Sequence, residues 1–421
     1  MRKITVLISA LALVLTLSAL SGPQKANAEG DPIIIGQALD FSNWMLTYDG
    51  QPQRAMEIAV EDVNAGQLID ADTLGVPQVN ENKGVLGGRK LEIIMCDTKA
   101  DREQGAKCGA EVVQGGAKFA AFSCDYDMGG PAALQYAAAG IVGVSVCGSD
   151  PKIGVQGIGP TIFTMSTAAN AQGYVLAEWG HARQGWRRAY SLLDNSIEYD
   201  KSLCIGFNER WQELEGAELV GQDVFKQDDP SIAAQITAYK EIDPEPDVMM
   251  ICSYIPGGAS ALRQIRAAGI ETPVLTSESF AGQFWMDSVP GLENYYHGTH
   301  GNVFSPENFT PQEKVFLERY EAKYGEMPPS SHVYLGYSMV QAYVKALEQA
   351  GTDDPMSIVG AMETFTDVPL LIGATTWTAD THIQNRRPFT FFEVQGKGHL
   401  EFIEKFRAEK AWDISKLKAW D

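Results

Sequence analysis

KLEIIMCDTKADREQGAKCGAEVVQGGAKFAAFSCDYDMGGPAALQYAAAGIVGVSV, residues 90–146, contains the alternation that decides the fold. Lys90 to Cys96 reads as a strand, Glu103 to Gln114 as a helix, Phe119 to Ser123 as a strand, Pro131 to Ala139 as a helix and Ile141 to Val146 as a strand. Apolar runs of strand length alternate here with segments of helical periodicity, which predicts a parallel sheet with helices on its faces.

Upstream, Ile33-Ile34-Ile35-Gly36 is a buried-strand run, and Gln53 to Asn64 carries Ala55, Met56, Ile58, Ala59, Val60 and Val63 at helical spacing. Gly66 to Gly84, rich in Asp, Asn, Gly and Pro, reads as a surface excursion. Downstream of Thr164 a second series begins. Helices are expected at Ala169–His181, Tyr199–Glu215, Ile232–Glu241 and Gly258–Ala268, and strands at Ala189–Leu193, Ala217–Val224, Val248–Ser253 and Pro273–Thr276. Thr310 to Ala350 reads as mainly helical, Phe389 to Val394 as a strand, and the charged tail from Glu401 as helical or loose.

A chain of 421 residues exceeds the roughly 250–300 at which single cores stop growing. The expected class is therefore α/β, with two doubly wound parallel-sheet lobes. Ligands of open parallel sheets sit beyond the carboxyl ends of the strands, so the cleft between the lobes is the expected site and hinge closure the expected motion.

The first 28 residues have the three parts of a secretory signal peptide: Arg2 and Lys3, an apolar stretch from Ile4 to Leu20, and the small-x-small site Ala26-Asn27-Ala28 before Glu29. The stretch is short for a membrane span, and no later segment is long and apolar enough for one. No cysteine lies near the cleavage site, so the mature chain is expected to start at Glu29 and reside in the periplasm without an anchor. Cleavage removes three basic and no acidic residues, moving the formal net charge from −21 to −24, a surface that repels nucleic acid and anionic membranes.

Catalytic signatures are missing. Gly143-Val144-Ser145-Val146-Cys147 lacks the second glycine of a nucleophile elbow, and Gly157-Ile158-Gly159 lacks the third glycine of a dinucleotide loop. Neither a phosphate-binding loop nor His-Glu-x-x-His occurs, and His297 and His300 share a short loop that is not expected to hold a metal. The expectation is a protein that is not an enzyme and requires no cofactor. The six cysteines, Cys96, Cys108, Cys124, Cys147, Cys204 and Cys252, can pair in about 15 ways, and spacing does not select among them.

Four motifs fall in order along the chain: Cys124-Asp125-Tyr126-Asp127 with Gly130-Pro131-Ala132 and Cys147-Gly148-Ser149-Asp150-Pro151; Asp194-Asn195-Ser196-Ile197-Glu198-Tyr199-Asp200-Lys201-Ser202; Ser253-Tyr254-Ile255-Pro256 with Leu262 to Gly269; and Thr276-Ser277-Glu278. Together they resemble the branched-chain amino-acid-binding (leucine/isoleucine/valine) family of type I periplasmic solute-binding proteins of ABC transporters. The resemblance implies a three-segment hinge, with crossings near Thr164–Thr167, Gly298–Asn302 and Thr375–Pro388. It divides the mature chain into an N-terminal lobe of residues 29–166 plus 300–376 and a C-terminal lobe of residues 167–299 plus 377–421.

Carried over by position, the resemblance implies that Tyr48 and Tyr126 line the N-lobe side of the cleft; Trp44 lies in the same first loop as Tyr48, where an aromatic serves as a surface lid or as a ligand contact. Cys147, Gly148 and Ser149 would offer N–H groups and a hydroxyl to a ligand carboxylate, Tyr199 and Tyr254 would close from the other lobe, and Glu278 would hold an ammonium group. It further implies a monomer that takes a small-molecule ligand to an ABC-type inner-membrane permease; a sensor handing its ligand to a membrane receptor has the same module. Asp125-Tyr126-Asp127 departs from the family's small hydroxyl residues, and two acids oppose a ligand carboxylate. Either these acids point away and a hydrophobic amino acid is bound, or the ligand is a neutral amide, an amine or an aromatic compound. Cys147 is open to two readings, a disulfide half or an apolar neighbour.

Overall fold

The computed structural model describes residues 30–71, 83–394 and 399–419. The leader over residues 1–28 lies outside the described residues, as does much of the Gly66–Gly84 excursion.

Strands β1 (Ile33–Leu39), β2 (Leu91–Asp97), β3 (Phe119–Phe122), β4 (Val142–Ser145) and β5 (Ile162–Thr164) form an all-parallel sheet in the order β2-β1-β3-β4-β5. Helices α1 (Leu46–Ala65), α2 (Arg102–Gln114) and α3 (Tyr126–Ala139) make its crossovers. β3 and β4 are buried at every residue, as a sheet covered on both faces requires. The second sheet has the order β14-β13-β10-β9-β8-β6-β7. Its parallel part is β6 (Arg188–Asp194), β7 (Glu218–Phe225), β8 (Val248–Cys252), β9 (Val274–Thr276) and β10 (Tyr295–Thr299), with α4 (Ala169–Trp179), α5 (Glu198–Glu213), α6 (Ala233–Lys240) and α7 (Gly257–Ala267) between and before them. Helices α8 (Pro311–Tyr324), α9 (Val333–Ala350) and α10 (Pro355–Met362) follow, then a small hairpin of β11 (Val368–Leu370) and β12 (Gly373–Thr375). α8 and α9 return to the first sheet's helices: Tyr324 Oη donates to Arg54 O at 3.0 Å and Tyr337 Oη to Asp62 Oδ2 at 2.7 Å. β13 (Phe389–Val394) and β14 (Glu401–Phe406) then add to the second sheet by antiparallel pairing.

Three connections therefore run between the sheets, and they touch. Thr164 N–H donates to His382 O and Ala168 N–H to Gln384 O, while Ser166 Oγ lies 3.1 Å from His300 Nε2. Arg387, buried without a carboxylate, spans two of them by bonding Met165 O and Thr375 Oγ1.

Two helices start earlier than their periodicity indicates. α1 begins at Leu46 rather than Gln53 and α3 at Tyr126 rather than Pro131, each holding its proline, Pro52 or Pro131, internally. The added turn of α1 is anchored by tertiary bonds and that of α3 by a local side-chain cap, which offset the proline's lost N–H. Asp49 accepts the N–H groups of Asp40 and Cys124, tying the start of α1 to the ends of β1 and β3, and Asp125 caps α3 by accepting Met128 N–H. The tail expected to be helical or loose instead forms β14, whose Phe402 and Phe406 meet Phe392 and Phe391 edge-on. His297, expected in a short loop with His300, instead lies within β10, whose five residues are too short a run to show a period.

α4 and α5 approach so closely that two glycines are required. A β-carbon on Gly206 would overlap the Asn170 carbonyl, and one on Gly173 would overlap the Phe207 amide. Gly206→Ala is expected to cost about 1–3 kcal/mol or more. Gly360→Ala, on the exposed face of α10 with nothing near its β position, should stabilise by about 0.5–1 kcal/mol. Urea titration of both variants checks this pair; equal signs would mean the α4–α5 contact is looser than described.

Candidate functional site

The order of the first sheet reverses between β1 and β3, and that of the second between β6 and β8. Ligands of open α/β sheets bind outside the strand ends at such points. From the first lobe the segment before α1 brings Trp44 and Met45, its first turn Tyr48, and the ends of β3 and β4 Cys124, Asp125 and Cys147. From the second, the end of β6 brings Ile197 and Tyr199, that of β8 Tyr254, and that of β9 Glu278 and Ser279. These eleven residues line a cavity of about 40 Å³, well below the ~300–1,000 Å³ typical of ligand pockets, because the two walls bond each other across it.

Six of the nine residues expected from the sequence line this cavity: Trp44, Tyr48, Cys147, Tyr199, Tyr254 and Glu278. Trp44 and Tyr254 face each other across it, ring centroids 5.4 Å apart. Tyr48 Oη donates to Ser279 O at 2.9 Å and accepts Ile255 N–H at 3.0 Å, so one N-lobe hydroxyl joins two C-lobe loops. Tyr199 Oη donates to Gln172 Oε1 at 3.0 Å.

Tyr126, Gly148 and Ser149 lie off the cavity lining. Tyr126 opens α3 and carries Lys152 Nζ over its ring at 5.6 Å. Gly148 N–H donates to Ser145 Oγ at 2.8 Å, and Ser149 Oγ donates to Glu278 Oε1 at 2.9 Å. The Gly148 N–H and the Ser149 hydroxyl, two of the groups expected to receive a ligand carboxylate, thus have protein partners.

Glu278 also has protein partners. Its Oε2 is 2.6 Å from His332 Nε2, and Oε1 accepts from Ser149 and, at 3.4 Å, from Gln172 Nε2. Burial pushes this carboxyl up, but the His332 hydrogen bond and charge, with His300 and Ser149, more than offset burial and hold it at about 2. His332, immediately before α9, has no sequence signal linking it to Glu278; only folding brings residues so far apart in sequence together. His300 Nε2 lies 3.9 Å from the same carboxylate. Glu278, His300 and His332 have their ligand-type atoms within 4.8 Å of one another, but these atoms already satisfy each other and Ser166, which makes the group a hydrogen-bonded charge cluster. In the other cluster of that kind, Asp49 with Cys124 and Cys147, both sulfurs are committed to a disulfide.

The cysteines pair as Cys96–Cys108, Cys124–Cys147 and Cys204–Cys252. The second bridge ties the ends of β3 and β4 and forms part of the cavity wall, so Cys147 is both a disulfide half and an apolar wall.

The two acids flanking Tyr126 diverge. Asp127 turns outward, pairing with Arg102 at 2.9 Å and accepting Glu198 N–H from the second lobe at 3.2 Å. Asp125 faces the cavity; burial, then the charge of Asp127, pushes its carboxyl up to about 7. Further bonds cross the cleft beside it, Lys152 to Glu198 at 2.9 Å and Ser202 Oγ to Asp150 Oδ2 at 3.2 Å. The nearest approach to a nucleophile, base and acid among the described residues is Ser330, His332 and Glu278, with Ser330 Oγ 3.0 Å from His332 Nδ1 and His332 Nε2 2.6 Å from Glu278 Oε2. Ser330 is buried off the cavity lining, so its hydroxyl does not face a solute there.

Residues 32–399 match the model of a family described as periplasmic binding protein. The chain is 23% identical over 364 residues to the Leu/Ile/Val-binding protein of Escherichia coli, covering 83% of this chain and 93% of that one. It superposes on the leucine-binding protein of Thermotoga maritima with a TM-score of 0.74 at 19% identity, over 89% of this chain and 98% of the other. A solute-binding protein of an ABC transporter from Rhodopseudomonas palustris, in complex with 3,4-dihydroxybenzoic acid, gives 0.71 at 18% identity over 90% and 98%. With two α/β sheets facing a common cavity and the family match running through both, the chain belongs to the periplasmic binding protein family, in its type I form.

Proposed function

We propose that this chain is the periplasmic substrate-binding component of an ABC importer: it captures a small amino-acid-like or amide-like solute in the inter-lobe cavity by hinge closure, without chemistry, and passes it to an inner-membrane permease. The observation that carries this is the cavity itself, walled by the strand ends of both sheets and latched by Tyr48 to Ser279 and Ile255. The three touching connections near residues 164–168, 300 and 382–387 are the hinge on this reading, and the lobes are the two groups of residues that they join. Among the described residues no helix is long and apolar enough to cross a membrane, which suits a carrier that shuttles to a separate permease.

The test is to purify the exported protein, identify any small molecule it carries by mass spectrometry, and strip and restore that molecule while following compactness by small-angle scattering. The expected result is an N-terminus at Glu29, a bound solute, and compaction when it is restored. A protein that carries no solute and keeps one shape, or that converts the solute, overturns the reading.

A further inference from the structure

The cavity wall contains two carboxylates and no lysine or arginine. Glu278 is matched by His332, as described above. Asp125 is not matched: Oδ1 caps α3, while Oδ2 is buried with no hydrogen-bond partner. Directly behind the Tyr199 wall, Asp200 is fully buried and neither of its carboxylate oxygens has a partner. Asp200 lies close enough to bear on the charge of Tyr48, Tyr199 and Tyr254, and burial, then Asp194, Asp125 and Glu278, raise its own cost of ionisation. The nearby lysines give little relief: Lys152 and Lys201 both pair with Glu198, at 2.9 and 2.7 Å, and Lys201 eases Asp200 less than the neighbouring acids oppose it.

Buried acids without partners are rare because each loses its hydration for nothing; Asp125 Oδ2 is such an oxygen in the cavity wall, and Asp200, next in sequence to the wall residue Tyr199, holds two more off the lining. What they lack is a donor carrying positive charge. The remaining walls suit the same guest, since Trp44, Tyr48, Tyr199 and Tyr254 offer electron-rich ring faces to a cation. A guest carboxylate would find the Gly148 N–H and Ser149 hydroxyl already engaged and two acids opposing it.

Taking capture by hinge closure as given, and in place of the amino-acid-like or amide-like solute named above, we propose that the solute is a small organic cation without a carboxylate, a primary ammonium or guanidinium compound. Its N–H groups bond Asp125 Oδ2 within the aromatic walls, and the buried charge of Asp200 stands behind. Burial, and then neighbouring acids, push both carboxyls up in the empty protein; a seated cation favours their ionised forms instead.

Isothermal titration of the stripped, full mature protein tests this with butylamine, 1,4-diaminobutane, guanidinium, acetamide and leucine. At least one of the three cations is expected to bind, and Asp125→Asn and Asp200→Asn should each weaken it by 10-fold or more. Asparagine keeps the α3 cap, and circular dichroism of each variant verifies the fold. Cation binding that survives both substitutions overturns the assignment of these acids. Binding of leucine or acetamide with the cations inert overturns the cation inference and leaves the capture function standing. If no probe binds and the purified protein carries no solute, both fall.

Discussion

Glu278→Ala should lower the stability of the protein by about 3–5 kcal/mol, the summed cost of leaving buried groups of His332, Ser149 and Gln172 without their acceptor at about 1–3 kcal/mol each. The substitution strands His332, fixed by Ser330 at 3.0 Å on its other ring nitrogen, and also frees the Ser149 hydroxyl and one bond of Gln172. At roughly 2–4 °C per kcal/mol for units of this size, the thermal midpoint should fall on the order of 10 °C. Glu278→Gln, which keeps an acceptor in place, should lose less. The pH dependence has a definite sign. The Glu278 carboxyl is held at about 2, below its ordinary 4.5, so its stabilisation is fully present above about 4.5 and is lost as pH falls toward 2. The gap between wild type and Glu278→Ala should therefore be constant from pH 8 to pH 5 and close in strong acid. A gap that is small at neutral pH, with solute binding lost instead, would return Glu278 to the role of ligand partner.

The second large effect concerns the bridge between α5 and the end of β8. Cys204 and Cys252 are 48 residues apart, and closing a loop of that length restricts the unfolded chain by roughly 4 kcal/mol. Cys204→Ala with Cys252→Ala should cost about that much, seen as a lowered urea midpoint of the second lobe. The same entropy argument ranks the others: Cys124–Cys147, 23 apart, next, and Cys96–Cys108, 12 apart, least, at roughly 3 kcal/mol. Removing the three pairs one at a time gives the order directly, and a reversed order would show that strain or packing, rather than loop closure, governs these bridges.

Much of the candidate site was legible before any coordinates. Tyr199, Tyr254 and Glu278 follow from motif position, Tyr48 from the resemblance in the first loop and Trp44 from its place in that loop, and they line one cavity. Gly148 and Ser149 are near it, but the Gly148 N–H is taken by Ser145, three residues away, and the Ser149 hydroxyl by Glu278, which meets it only in the fold. Asp125 and Asp127 are alike as letters. One faces the cavity and the other an arginine, because Asp125 is the cap of α3 and Asp127 lies in its first turn.

By itself the sequence determined what depends on local periodicity and on order along the chain: the α/β class, the alternating series, two sheets, and a cleft at their strand ends. Only the tertiary structure decided the helix starts before Pro52 and Pro131, the strand at Glu401–Phe406, the cysteine pairs and the partnership of Glu278 with His332. All but the α3 start, which Asp125 caps through Met128 three residues on, rest on contacts between segments remote in sequence. A buried charge or an unpaired strand edge takes whatever partner folding brings to it, and no spacing along the chain encodes which one that is.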